Sequence, residues 1–351
     1  MRIIKVEDIN KGEILAKDVL ACDYQMLLRK GTVLKKEYID KLIELDIKEV
    51  YIEEIIEIEE NEMVLMKEEM EIIYKNTIQS ILEKHIYKNN EELSEISKVA
   101  DKIIGNILDE KKVMEKVYDI KGRNADIYEH CISLCTLAIL TSLKLGLEIE
   151  TVHDVGVACL LHDLGLRYLV INYKNQNLLE LSEYEYAEYK KHPIYAYSVL
   201  EEEEWISERC KRIILMHHEH LDGSGYPLHT KEIPLEAKIV CVCDVFDEMI
   251  SGIGCMRTEV HEAIEYLKIY KGSLYDTDVI NTFLQFTAAY PVGTKIRTNN
   301  GLVGVVIKQN KEFSERPMIR LIERENGSFS KEKQIIDLLV QKNIFIKDVI
   351  H

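Results

Sequence analysis

The sequence predicts a mainly α chain with a small α/β unit at its start and a small β-rich unit at its end. Three observations predict it. Apolar residues recur at spacings of three and four through much of residues 63–290, the period of helices that bury one face. From Tyr290 the pattern turns to alternation, with Asn-Asn-Gly and Glu-Asn-Gly turns, as in β-hairpins. Residues 1–60 mix the two periods.

In the first unit, ILAKDVL (14–20) and MLLRKGTVL (26–34) read as strands, the second with a Lys-Gly turn. KKEYIDKLIELDI (35–47) has helical spacing at Tyr38, Leu42 and Leu45, and KEVYI (48–52) returns to a strand. The acidic run 53–62 is read as a solvated exit. Residues 63–115 read helical throughout, with no Pro. Leu93, Ile96, Val99, Ile103 and Ile107 form an apolar stripe there. The stripe fits a connector packed on the neighbouring core, a homodimer face, or the first helices of the next domain. Helices are then expected over 126–145, 151–161, 183–201, 206–218, 237–251, 260–270 and 276–287. The division expected is 1–60, a helical connector 61–115, a helical domain 116–290 and a β-rich extension 291–351.

The chain of 351 residues is 46% hydrophobic, a normal globular share. Its start has no apolar run after the early charges, so no signal peptide is expected. No stretch approaches the ~18 continuous apolar residues of a membrane span, and a cytoplasmic location is expected. The eight cysteines include no CxxC pair and read as small core residues in a reducing compartment. A formal charge of −17 repels long polyphosphate chains. A nucleic-acid polymer is thereby an unlikely partner, whereas a small phosphate ligand remains open if bound cations reverse the local field.

The unusual polar residues gather in 116–290. His217 and His218 are adjacent, and neighbours on a helix point about 100° apart, so the two imidazoles cannot share one narrow helix face. That pair is a surface accident, or serves two metals or a metal and a substrate group, or defines one face of a metal cluster. They precede a tight Gly-Ser-Gly-Tyr-Pro loop, residues 223–227. His162 and Asp163 pair an imidazole with a carboxylate that can bridge two metals. His130, His192 before Pro193, and Asp244 in an apolar stretch complete the set. Any one of them alone is more often a structural polar residue with a local partner. Together they exceed what one metal needs and match a two-metal site. Asp126, four residues before His130, offers a carboxylate toward a third.

The order H…HD…HP…HHE…DGSGYP…DVFDEM over residues 116–290 resembles the HD-GYP family, a subclass of the HD metal-dependent phosphohydrolases. The tail and the first 60 residues also resemble segments found beside that domain. The resemblance implies an all-helical HD-type fold and a phosphodiesterase acting on cyclic di-GMP, opening it to linear pGpG and onward to GMP. It implies two or three divalent transition metals, iron or manganese, and in-line attack by metal-activated hydroxide. Asp163 would bridge the metals. His130, His162 and Asp244 would complete one site, and His192, His217 and His218 the other; His162 and Asp163 would be the catalytic pair. Asp126 resembles the acid behind a third metal in some members. Gly225, Tyr226 and Pro227 would line the substrate.

Two departures from the family pattern stand out. Leu166 occupies the position of the Lys in HDxGK, a residue thought to contact the scissile phosphate, and SGIGCMRTEV (251–260) is degenerate, leaving Arg257 as the candidate phosphate contact. One lost charge-assisted contact costs roughly 2–4 kcal/mol in a transition state. The alternative expectation is therefore a cyclic-dinucleotide receptor that binds and barely turns over. A third is a scaffold with structural metals.

Overall fold

Residues 2–9, 12–15, 18–20, 26–45, 47–52, 66–88, 91–109, 118, 120, 126–174, 177–310, 313–323 and 334–350 are described by a computed structural model. The chain divides into one unit of residues 1–60 with 322–332 and another of residues 61–321 with 333–351.

In the first unit, β1 (Arg2–Lys5) pairs antiparallel with β4 (Glu49–Ile52), and β2 (Val19–Leu20) with β3 (Met26–Leu28). Helix α1 (Lys36–Glu44) buries Leu42 among Val6, Leu15, Leu34, Val50 and Ile52. Strand β1 has no counterpart in the sequence reading, because Arg-Ile-Ile-Lys does not alternate.

The second unit is a helical body. It begins with α2 (Glu68–Lys88) and α3 (Glu95–Asp109). Leu93, Ile96, Val99, Ile103 and Ile107 are buried in the main core, so the stripe packs within the chain. Helix α4 (Ile127–Lys144) is buried along nearly its whole length and packs most extensively on α5 (Ile149–Leu161) and α9 (Leu235–Ser251). A helix apolar on all sides has only the core to occupy. Its hydroxyls do not disturb this: Thr136 and Thr141 donate to carbonyls one turn back.

After α5 the chain tightens into a 3-10 segment, His162–Tyr168. The single helix expected over 183–201 is two, α6 (Glu183–Tyr189) and α7 (His192–Leu200). Pro193 in the first turn of α7 explains the break, since its ring and missing N–H cannot continue a preceding helix. Helices α8 (Glu208–Met216), α10 (Val260–Ile269) and α11 (Thr277–Leu284) complete the body. The tail forms a five-stranded sheet in the order β8-β7-β6-β5-β9, with β5 Lys295–Thr298, β6 Val303–Lys308, β7 Met318–Glu323, β8 Ile335–Asp337 and β9 Ile346–Val349. Gly301 at φ 83 closes the β5–β6 turn. The Glu-Asn-Gly turn expected at 325–327 lies outside the described residues. Seven cysteines are free thiols among the described residues, six of them buried. No described helix is long and apolar enough to cross a membrane.

Candidate metal centre

Five elements converge on one buried point. The middle of the first turns of α4 gives His130, and the 3-10 segment opens with His162 and Asp163. The Pro-enforced break puts His192 at the first position of α7. His217 and His218 leave the end of α8, and Asp244 projects from the middle of α9. His130, His162, His192 and His217 are 0% exposed, Asp244 1% and Asp163 4%. Charges so buried must be paired or bind a cation.

The two oxygens of Asp163 face different histidines. Oδ2 lies 3.3 Å from His162 Nε2 and 3.8 Å from His130 Nε2, while Oδ1 lies 3.3 Å from His192 Nε2. Asp244 straddles the centre in the same way. Its Oδ1 is 3.1 Å from His130 Nε2 and 3.5 Å from His162 Nε2, and its Oδ2 is 3.7 Å from His218 Nδ1. His192 Nε2 and His217 Nε2 are 3.3 Å apart. Donor atoms within 4.8 Å of one another form the groups His130–His162–Asp244, His192–His217–His218 and His162–Asp163–His217.

Local backbone bonds set the imidazole orientations. Nδ1 of His162 lies 2.8 Å from the Cys159 carbonyl, that of His192 2.8 Å from Tyr189, and that of His217 2.6 Å from Ile214. A carbonyl only accepts, so each Nδ1 carries a proton and each Nε2 faces the centre, where a neutral ring presents its lone pair. His130 Nδ1 is held instead by Asp247 Oδ2 at 2.8 Å, and the other Asp247 oxygen accepts the Ser133 hydroxyl.

Electrostatics divide the imidazoles. Burial opposes charge on His130 and His162, yet the facing carboxylates outweigh it and raise both well above the usual histidine value: Asp244 and Asp247 for His130, Asp163 and Asp244 for His162. Burial dominates elsewhere, lowering His192, pushing His217 down to about 3 and His218 well below the usual value. Burial also opposes ionisation of Asp163 and Asp244, but the histidines hold both below the usual carboxylate range, His162 first for Asp163 and His130 first for Asp244. Among the described residues of the centre, buried His218 Nε2 has no hydrogen-bond partner, and Asp244 Oδ1 has only the ring nitrogens of His130 and His162, at 3.1 and 3.5 Å. Imidazole and carboxylate lone pairs aimed at one point, with an orphan among them, fit divalent transition metals.

Glycines allow the close approaches. A Cβ on Gly225 would fall 2.4 Å from the His218 carbonyl oxygen and 2.3 Å from the His220 amide nitrogen. Tyr226, which follows, donates its N–H to that same carbonyl at 3.0 Å and joins Pro227 through a cis peptide bond. The Tyr226 ring stacks on His218, with centroids 4.6 Å apart. Buried Glu219, which the sequence reading missed, anchors the loop by accepting the amides of Leu228, His229 and Thr230 at 2.5, 3.1 and 3.0 Å.

One expectation needs adjustment. Asp126 is not drawn into the centre. It is the N-cap of α4, accepting the amides of Tyr128 and Glu129, and it pairs with Lys75 Nζ at 2.9 Å. The i, i+4 argument assumed helical backbone at both positions, whereas Asp126 has φ −123 and ψ 116. Leu166 is 2% exposed and belongs to the main apolar core. Its neighbour Arg167 lies over the Tyr128 ring at 5.8 Å. Arg257 is exposed in the segment between α9 and α10. Glu248, another residue missed, groups with His218 and Asp244; its signal was its place one turn after Asp244.

Comparison with known proteins agrees with this arrangement. The HD domain family matches residues 108–279, and the family described as a KOW domain associated with HD domain matches residues 296–351. A cyclic di-GMP phosphodiesterase of Pseudomonas aeruginosa is 27% identical over 248 residues, covering 69% of this chain and 59% of that protein. A cyclic di-GMP phosphodiesterase response regulator of Xanthomonas campestris is 35% identical over 156 residues, covering 42% of this chain and 40% of its own length. The chain thus spans about half the length of these curated relatives. A solved protein of Bdellovibrio bacteriovorus, described as an HDG"Y"P protein, shares the fold with a TM-score of 0.52 at 22% identity, covering 80% of this chain and 97% of that one. An HD domain is thus matched across the helices that carry the buried His/Asp cluster, with the loop of Gly225, Tyr226 and Pro227 stacked against it, so the chain carries an HD domain with the HD-GYP signature.

Proposed function

We propose that the chain is a cytoplasmic, metal-dependent phosphodiesterase that hydrolyses cyclic di-GMP to linear pGpG and onward to GMP. The observation that carries this reading is the position of Asp163, whose two oxygens face two separate imidazole groups. His130, His162 and Asp244 would hold one metal, and His192, His217 and His218 the other, with iron or manganese suited to the donor set. Divalent metals supply a hydroxide nucleophile near neutral pH and neutralise the phosphodiester charge. The residues around them do the rest. Carbonyls behind three imidazoles fix the neutral Nε2 lone pairs, the Glu219-anchored loop holds Tyr226 as a wall of the site, and the core excludes water behind it. The names carried by the curated relatives support cyclic di-GMP as the substrate.

Elemental analysis and turnover on one anaerobically purified sample test the reading. Two or more metals per chain and a linear product are expected, with both lost in His162→Ala and Asp163→Ala. A metal-loaded chain that binds cyclic di-GMP and leaves it intact would instead establish a receptor. Burial of Leu166 in the apolar core, where the family carries a phosphate-contacting Lys, favours that second reading.

A further inference from the structure

The proposed function leaves Glu248 without a role. It lies one helical turn after Asp244 on α9, so both side chains leave the same face. His218, Asp244 and Glu248 each place a donor atom within 4.8 Å of the other two. His218, whose buried Nε2 has no hydrogen-bond partner, is a member of this trio, and Asp244 is 1% exposed. Like charges one turn apart on a helix repel, and partial burial removes the water that would screen them. A cation relieves both costs. Asp247, next in sequence, needs none, because His130 and Ser133 occupy its oxygens.

The backbone holds Glu248 in place. Its carbonyl accepts the amides of Gly252 and Ile253 where α9 ends. The chain then folds back at Gly254, φ +68, where a Cβ would lie 3.4 Å from Glu248 Oε1. The half-buried carboxylate is held beside the centre.

We propose that Glu248 is a further ligand of the metal centre, adding its carboxylate beside Asp244 to the divalent cation that His218 binds. The inference rests on the metal-centre reading above. It adds a carboxylate on the α9 side, where the sequence reading had sought one at Asp126. Carboxylate oxygens beside imidazoles suit manganese(II).

Titration of the metal-free full chain with manganese(II), with free ion counted by electron paramagnetic resonance, tests it. Glu248→Gln keeps the shape and removes the charge. It is expected to lose one bound ion per chain or to weaken one binding step at least about tenfold, since even residues behind a metal ligand change affinity by that much. Glu248→Asp, which keeps the carboxylate, is expected to retain the ion. A Glu248→Gln isotherm that superimposes on wild type overturns the proposal and leaves the two-metal reading standing. Equal losses in both variants, with lowered melting temperatures of the metal-free chains, mark a packing role and also overturn it. A wild-type chain that binds no manganese(II) overturns the metal-centre reading itself.

Discussion

Gly165 sits so close to His192 that a Cβ on it would lie 1.9 Å from the His192 carbonyl oxygen. That contact joins the 3-10 segment bearing His162 and Asp163 to the start of α7. Gly165→Ala must therefore push the two apart and spoil the facing of Asp163 and His192, now 3.3 Å apart. Metal affinity is expected to fall about 10–100-fold, the range seen when support behind a ligand is lost. Isothermal titration of the metal-free protein with manganese(II) checks it, and unchanged affinity would show that the junction yields without cost.

Asp126 is predicted to matter for stability and not for metal. Burial opposes its ionisation, but Lys75 and the amides of Glu129 and Tyr128 outweigh that and hold its carboxyl below the ordinary value of 3.8. With the folded value depressed, its contribution is present above the unfolded value and is lost as pH falls through the folded one. Asp126→Ala is expected to cost about 0.5–2 kcal/mol at neutral pH, the usual price of a lost N-cap. The difference from wild type should shrink once acid protonates the carboxyl. Denaturant melts at neutral and acidic pH measure this, while elemental analysis should return the wild-type metal content. A loss of metal in this variant would restore Asp126 as a ligand.

Glu219 governs the loop. Glu219→Ala strands three amides, those of Leu228, His229 and Thr230, at about 1–3 kcal/mol for each group left buried and unpaired. Water reaching the freed loop limits the damage, so the expected result is a mobile loop on an intact body. Hydrogen exchange at 228–230 should accelerate, the KM for cyclic di-GMP should rise, and metal content should stay constant. Unchanged exchange there would show that the carboxylate is not the anchor.

Much of this arrangement is legible in the sequence because its chemistry is written in adjacent letters. His162–Asp163 and His217–His218 are pairs that need no knowledge of the fold, and His130 and Asp244 stand out as polar residues in apolar helices. What adjacency does not carry is backbone state. Asp126 has the spacing of a ligand and the dihedrals of a cap. Glu248 looks like one more acid near a helix end until α9 places it beside His218. Glu219 looks solvated until the loop after Pro227 turns its amides inward. The break between α6 and α7 follows from Pro193, a local signal that helical periodicity on either side obscures.

Three of the buried imidazoles take their orientation from a carbonyl three residues earlier in their own chain. Such bonds depend on main-chain atoms that every residue possesses, so substitutions at Cys159, Tyr189 or Ile214 leave the acceptor in place. His130 alone relies on another side chain, Asp247, supplied from 117 positions away. Mutational drift can therefore rework the packing around three corners of the centre without turning their rings, whereas the fourth is inherited only as a pair.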